Sequence, residues 1–345
     1  MAFFMSRLGA YTVDRRKGHQ LYKQVLKDYS TEALTRRTHS LFFPGGTRAR
    51  SGSVENSVKK GLLGTAIAAW QENIQHNRPK PEVLVVPCTL SYALVLEAST
   101  LIEDALQDSG KSRYIISDDE FSEPRTVATF ARRVLDLDAS VIVRFGQPLD
   151  LMGNPVDASG LSLSHSGDPI DRRQYVCDAD GNVIIDPQRD RIYTDRLGEA
   201  LVDHWHRDNI LMPTHVAACA AWHQLRRFYP RLDPWQIALL HGEERLIPRA
   251  TLLAAVGRLL DAMDALEQQG RLRTHLPGRG ADAAEAVLDM AVETFSRFHS
   301  EPALEPAQDR GTAMVRVSPK LALYYGNRLE HYGIEAAARG DGSTP

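Results

Sequence analysis

Leu41-Phe42-Phe43-Pro44-Gly45-Gly46-Thr47-Arg48-Ala49-Arg50-Ser51-Gly52 is an apolar run that stops at a proline and passes directly into glycines and arginines. Proline has no N–H to give to a strand ladder, so it ends one. Glycines let backbone N–H groups approach an anion, and guanidinium forks neutralise it. The order predicts a strand followed by a loop that holds a phosphorylated ligand. Taken alone, a glycine–arginine loop is also an ordinary turn. This one has neither the Gly-x-x-x-x-Gly-Lys spacing of a P-loop nor the dinucleotide fingerprint.

Working outward, residues 40–43 read as a short buried strand. Leu21, Tyr22, Val25, Leu26 and Tyr29 before it, and Leu62, Leu63, Ala66, Ile67 and Trp70 after it, recur at helical spacing. Val83–Val86, ended by Pro87, and Val141–Phe145 read as further buried strands. Strands separated by helices predict an α/β fold for residues 1–150, a mixed and mostly parallel sheet flanked by helices. Residues 151–190 are rich in Gly, Asp, Ser and Pro and read as a loop and hairpin insertion, turning at Asp180-Gly181-Asn182. Residues 191–335 read as a largely helical region, with one stripe from Leu252 to Leu266 and another from Ala284 to Phe298. Residues 336–345 read as a flexible tail. No internal repeat is expected.

Apolar and charged contents of 43% and 25% are those of a globular protein. No run of about 18 apolar residues predicts a membrane-spanning helix. The odd, scattered set Cys88, Cys177 and Cys219 predicts reduced thiols and no metal cluster. Residues 1–60 hold twelve Lys/Arg against four Asp/Glu, within a chain whose net charge is −3. That asymmetry fits phosphates or an anionic membrane surface, and equally a solvated basic face. Nucleic acid is not an expected partner, because no stacking aromatics or nucleic-acid motif accompany the basic residues.

Three segments stand in order: Gly9-Ala10-Tyr11-Thr12-Val13-Asp14-Arg15, the loop above, and Val85-Val86-Pro87-Cys88-Thr89-Leu90-Ser91-Tyr92. Together they resemble the glycerolipid acyltransferases, which acylate glycerol-3-phosphate and lysophosphatidate. The second block of that family is similar to Gly9–Arg15. The third, Phe-Pro-Glu-Gly-Thr-Arg-Ser-Arg-Ser-Gly, is similar to Phe43–Gly52, and the fourth to the strand ending at Pro87 with Tyr92 beyond it. Lys60-Gly61, Arg144–Leu149 and the segment Tyr325-x-Asn327-x-x-x-His331 also look like parts of the larger glycerol-3-phosphate enzymes. The resemblance implies an O-acyltransferase (class 2.3.1) of phospholipid synthesis at the cytoplasmic membrane face, attached peripherally. It uses no cofactor or metal, and takes acyl-CoA or acyl carrier protein as co-substrate. Arg48, Arg50 and Arg15, the backbone around Gly45 and Gly46, and the Thr47 hydroxyl would hold the acceptor's phosphate. Lysophosphatidate is the alternative acceptor.

Two departures qualify it. The family's first block, His-x-x-x-x-Asp, supplies the general base, and none of the twelve histidines is followed by Asp five positions on. No catalytic residue is therefore assigned. Met1-Ala2-Phe3-Phe4-Met5 reads as the end of a buried element, so a truncated chain is the preferred expectation. A non-catalytic relative that binds a phosphate or lipid headgroup is the alternative. The second departure is Gly45 in place of Glu, which removes a carboxylate from the loop. Hypotheses outside the resemblance are a phosphosugar or nucleotide enzyme using the loop alone, and a metal site at His204, His206 and Asp208. The latter is disfavoured because i and i+2 lie on different helix faces. Cys219 and His215, at i+4, sit in a stripe that reads as core.

Overall fold

The structure, a computed structural model, describes residues 7, 9–11, 13–14, 18–45, 49–109, 141–297 and 301–340. The first predicted helix forms as α1 (Gln20–Thr35). Its apolar stripe points outward: Leu21, Val25 and Tyr29 are exposed, whereas Ser30 and Thr35 are buried. The Ser30 and Thr65 hydroxyls meet at 3.0 Å. In α2 (Lys60–Leu63) and α3 (Thr65–Gln75) the stripe does face inward, with Leu63, Ala66, Ile67 and Trp70 buried.

β1 (Cys88–Tyr92), α4 (Ala98–Ser109) and β2 (Val141–Phe145) follow. The strand predicted at 141–145 is present and pairs antiparallel with β1, Thr89 opposite Arg144 and Ser91 opposite Ile142. The other two predicted strands are not regular. Residues 40–43 form no strand, and Val85 contributes an isolated antiparallel bridge to Leu149. Each run is short and meets a proline that cannot continue a ladder, and Leu41 and Phe43 stay exposed.

Residues 150–184 hold a repeat that the apolar pattern hides. Asp150, Asp157, Ser164, Asp171 and Asp178 recur every seven residues. In four of the five units a glycine three positions on, Gly153, Gly160, Gly167 or Gly181, has φ between +82° and +89°. The side chain at the first position accepts from amides downstream, as Asp157 does from Ser159 and Leu161 and Asp178 from Asp180 and Asn182. The chain reverses at each glycine, with Leu149 facing Pro155, Val156 facing Ser162, and Cys177 facing Val183. β3 (Ser162–Leu163) pairs with β4 (Pro169–Ile170) in the same rhythm. The expected hairpin is thus one of a series of equivalent turns.

Asp186 caps α5 (Pro187–Asp208) by accepting from Gln188 and Arg189, with Pro187 at its first position. Beyond it come β5 (Ile210–Leu211), α6 (Pro213–Phe228), α7 (Pro234–Ala238), β6 (Leu246–Pro248), α8 (Arg249–Gln268), β7 (Arg273–Thr274), α9 (Ala284–Ser296), β8 (Leu304–Asp309), β9 (Thr312–Val317) and α10 (Pro319–Gly326). A 3-10 helix (Asn327–Tyr332) and α11 (Glu335–Arg339) complete the described chain. The predicted stripes become the buried faces of α8 and α9, Phe298 lying outside the described residues. The region is not purely helical, because β6, β9 and β8 form an antiparallel sheet. Its hairpin turns at Arg310-Gly311, both at positive φ. Residues 336–340, read as part of a loose tail, are pinned: Arg258 and Gln224 donate to the Ala337 and Ala338 carbonyls.

Helices and strands are thus mixed, as predicted. The mostly parallel sheet is not found among the described residues, whose sheets have two or three strands and whose parallel pair is β5–β7. Two apolar cores form. One joins Leu63, Ile67 and Trp70 to Leu149, Leu197 and Leu201. The other surrounds α6 and takes in Leu94, Leu101 and Ile102 from the N-terminal half.

Burial holds His215 down to about 3, helped by Arg328, and His223 down to about 4, helped by Arg339 and Arg226. An unfolded chain protonates these rings near pH 6.5. Stability is therefore complete above that pH and falls as pH drops through about 6.5 toward the folded values. Each ring should account for about 2 kcal/mol of loss by pH 5. Urea unfolding at pH 7 and pH 5 checks this, and His223→Gln should remove about 2 kcal/mol of the difference.

Candidate functional site

The Pro44–Gly52 loop is tied at both ends. The Lys59 amide donates to the Pro44 carbonyl at 2.8 Å. At the other end Asn327 Nδ2 donates to the Ser51 carbonyl at 2.8 Å. Gly52 lies there at φ +83°, and a Cβ on it would stand 1.9 Å from the Tyr324 carbonyl oxygen. Only glycine fits, for backbone conformation and for space. The segment that receives the loop is itself brought close by Gly326, whose own Cβ position is 3.0 Å from Cys219 Cα on α6.

That C-terminal segment fastens three pieces of the N-terminal half. Tyr325 accepts from the Val95 amide at 2.9 Å. Asn327 holds Ser51. Arg328 donates through Nε to Asn209 Oδ1 at 2.7 Å and through Nη2 to the Leu90 carbonyl at 2.8 Å. Tyr92 is fixed from another side, its carbonyl accepting from buried His215 Nε2 at 3.0 Å. The buried face of the β1–β2 ribbon meets the end of α5: Thr89 donates to the Asp208 carbonyl at 3.1 Å and Arg144 to its carboxylate at 3.0 Å.

Of the predicted binding residues, Gly45 and Arg50 are described, and Arg50 is partly buried. Arg15, Gly46, Thr47 and Arg48 lie outside the described residues. Gly45 brings a finding that the sequence reading missed. A Cβ there would stand 2.4 Å from Glu55 Oε1, so the Glu55 carboxylate occupies the space of a side chain at 45. The loop departs from Glu at 45 yet keeps a carboxylate beside that position. Burial raises the Glu55 carboxyl above its ordinary range, against the pull of Lys59. Glu55 is the one acidic residue between Glu32 and Glu72, a signal that was available. Of the second block, Tyr11 packs edge-on against Tyr29 at 5.0 Å, and the Asp14 amide donates to the Tyr22 hydroxyl at 2.7 Å. Lys60 opens α2 and pairs with Asp195 at 2.6 Å.

The weaker candidates separate. His204 lies against Arg207 and 3.7 Å from Asp208, while His206 turns to His331, with ring centroids 4.0 Å apart. Burial and then His331 bring His206 down to about 4. His206 Nδ1 and His331 Nε2 are buried without a hydrogen-bond partner among the described residues. Burial raises the Asp208 carboxyl, but Arg144, Arg207 and Arg273 outweigh it and hold the group below its usual range. Cys219 is buried in the α6 core, which pushes its thiol up.

Residues 1–91 match the sequence family described as Acyltransferase. A protein named glycerol-3-phosphate acyltransferase from Haemophilus ducreyi (strain 35000HP / ATCC 700724) is 31% identical over 102 residues. Residues 1–91 are thus similar to acyltransferases, and the matched stretch is similar to one named for glycerol-3-phosphate. The match to the Haemophilus protein takes in 29% of this chain and 12% of that relative, so most of each lies outside it. No solved structure matches at a significant level. Among the described residues, no helix is long and apolar enough to cross a membrane.

Gly52→Ala should cost about 3 kcal/mol in urea unfolding, because it combines backbone strain with overlap on a carbonyl. Asn327→Ala should cost about 1 kcal/mol. Gly45→Ala meets a flexible side chain, so it should leave stability within about 0.5 kcal/mol while displacing Glu55.

Proposed function

We propose that this chain carries the acceptor site of an acyltransferase of glycerolipid synthesis, with glycerol-3-phosphate as the acceptor. The reading rests on the loop's far end being locked to the Tyr325–His331 segment. The most specific family motif and the segment similar to the larger glycerol-3-phosphate enzymes lie in contact, although more than 270 residues apart. The name of the Haemophilus relative supports the same acceptor.

In this reading the phosphate dianion sits at the loop, held by Arg48 and Arg50, the N–H groups around Gly45 and Gly46, and the Thr47 hydroxyl, with Arg15 as a further cation. Charge-assisted, forked hydrogen bonds of this kind are the strong ones. Glu55, beside Gly45, is placed to accept from the glycerol hydroxyls. The reaction forms an ester bond as the acceptor hydroxyl attacks the carbonyl of an acyl thioester, from acyl-CoA or acyl carrier protein. The C–S bond breaks, and the hydroxyl proton ends on the thiol. The sequence lacks the His-x-x-x-x-Asp that would take that proton. A positioned base contributes about 10²–10⁴-fold, so the proposal for residues 1–345 rests on binding. Attachment at the cytoplasmic membrane face belongs to the same proposal, supported by the basic residues 1–60 and by exposed Val141, Val143 and Phe145 on β2.

Isothermal titration with glycerol-3-phosphate should show binding that Arg48→Glu with Arg50→Glu abolishes. Acyl transfer should run at least about 10²-fold below that of a relative with the His-x-x-x-x-Asp block. Unchanged binding in the charge-reversed protein would remove the site. Binding of lysophosphatidate in preference would select the alternative acceptor, and binding with no measurable turnover the non-catalytic one.

A further inference from the structure

Arg328 is a partly buried cation. Among the described residues no carboxylate pairs with it, and its Nε and one Nη2 hydrogen go to neutral oxygens, Asn209 Oδ1 and the Leu90 carbonyl. Three of its five N–H groups have no partner there. Its surroundings are the phenols of Tyr92, Tyr324 and Tyr332, and the rings of His206 and His215 feel its positive charge. Taking a guanidinium partly out of water with only neutral acceptors is unfavourable, and an anion that joins it offsets that cost.

Its place in the fold says which anion. Asn327, the preceding residue, holds the Ser51 carbonyl, and the Tyr324 carbonyl lies against Gly52. The backbone that carries Arg328 is therefore anchored beside the end of the Pro44–Gly52 loop. Leu90 and Asn209 fix the guanidinium plane, leaving the remaining N–H groups as a preset fork. A phosphate monoester dianion matches such a fork in charge and geometry, and a carboxylate supplies only half the charge.

We propose that Arg328 is a binding residue for the acceptor's phosphate, supplied by the C-terminal segment to a site that takes Arg50 from the N-terminal loop. This rests on the acceptor-site reading above. On this account the 3-10 helix forms one wall of the site, and residues 1–150 alone do not complete it.

The test titrates the full chain with glycerol-3-phosphate and with inorganic phosphate, comparing Arg328→Gln, Arg328→Lys and Arg50→Glu. Arg328→Gln should weaken both ligands at least tenfold. Arg328→Lys, which keeps the charge but loses the fork, should weaken both three- to tenfold and covers the case in which the Gln protein does not fold. If Arg50→Glu abolishes binding while Arg328→Lys binds as the parent does, Arg328 is not in the site and the acceptor-site reading stands. If Arg328 variants weaken glycerol-3-phosphate but not inorganic phosphate, the phosphate assignment is overturned. If Arg50→Glu leaves both ligands unaffected, the acceptor-site reading fails and this inference with it.

Discussion

Gly52 lying against the Tyr324 carbonyl, with Asn327 bonded to Ser51, is the contact on which the rest of this structure turns. A glycine–arginine loop has no rigidity of its own. Each backbone group it spends on an anion must be held in place by something else, or ordering entropy cancels the gain. Here the loop's start is closed by Lys59 and its end is seated on a helix junction that is packed against α6 through Gly326. The loop's position therefore depends on the far half of the chain. The α6 core, although it contains no residue of the loop, sets where the loop can stand.

Electrostatics point the same way. Carboxylates near the site are outnumbered: Asp208 is met by Arg144 and Arg273, and Glu55 is a lone acid in a basic stretch. The buried histidines contribute no compensating or competing charge at neutral pH, since burial holds His206, His215 and His223 in the neutral form. Arg144, Arg273 and Arg328 bring guanidinium groups to the join between the two halves. That suits a dianion better than a neutral or cationic ligand.

Local chemistry was legible in the sequence and long-range geometry was not. The third block, the helical stripes of α3, α8 and α9, and the Tyr325–His331 segment could all be read from spacing and motif. Their meeting could not, because nothing local records that residue 327 touches residue 51. Glu55 was missed because its role appears only as volume beside Gly45. The strand expected at 40–43 has no ladder partner, and the one expected at 83–86 shrinks to a single bridge from Val85 to Leu149, short of a continuous ladder. The seven-residue turns of 150–184 escaped because they repeat in polar and glycine positions, whereas apolar periodicity is searched at 2 and 3.6 residues. The β8–β9 hairpin was legible at Arg310-Gly311 but masked by the helical patterns around it.

The central claim is that one anion site is built from both ends of the chain. Hydrogen–deuterium exchange with and without saturating glycerol-3-phosphate measures it directly, peptide by peptide. The account predicts slowed exchange in two places at once, in residues 49–53 and in residues 324–332. Protection confined to the loop, or absent from both, would contradict it.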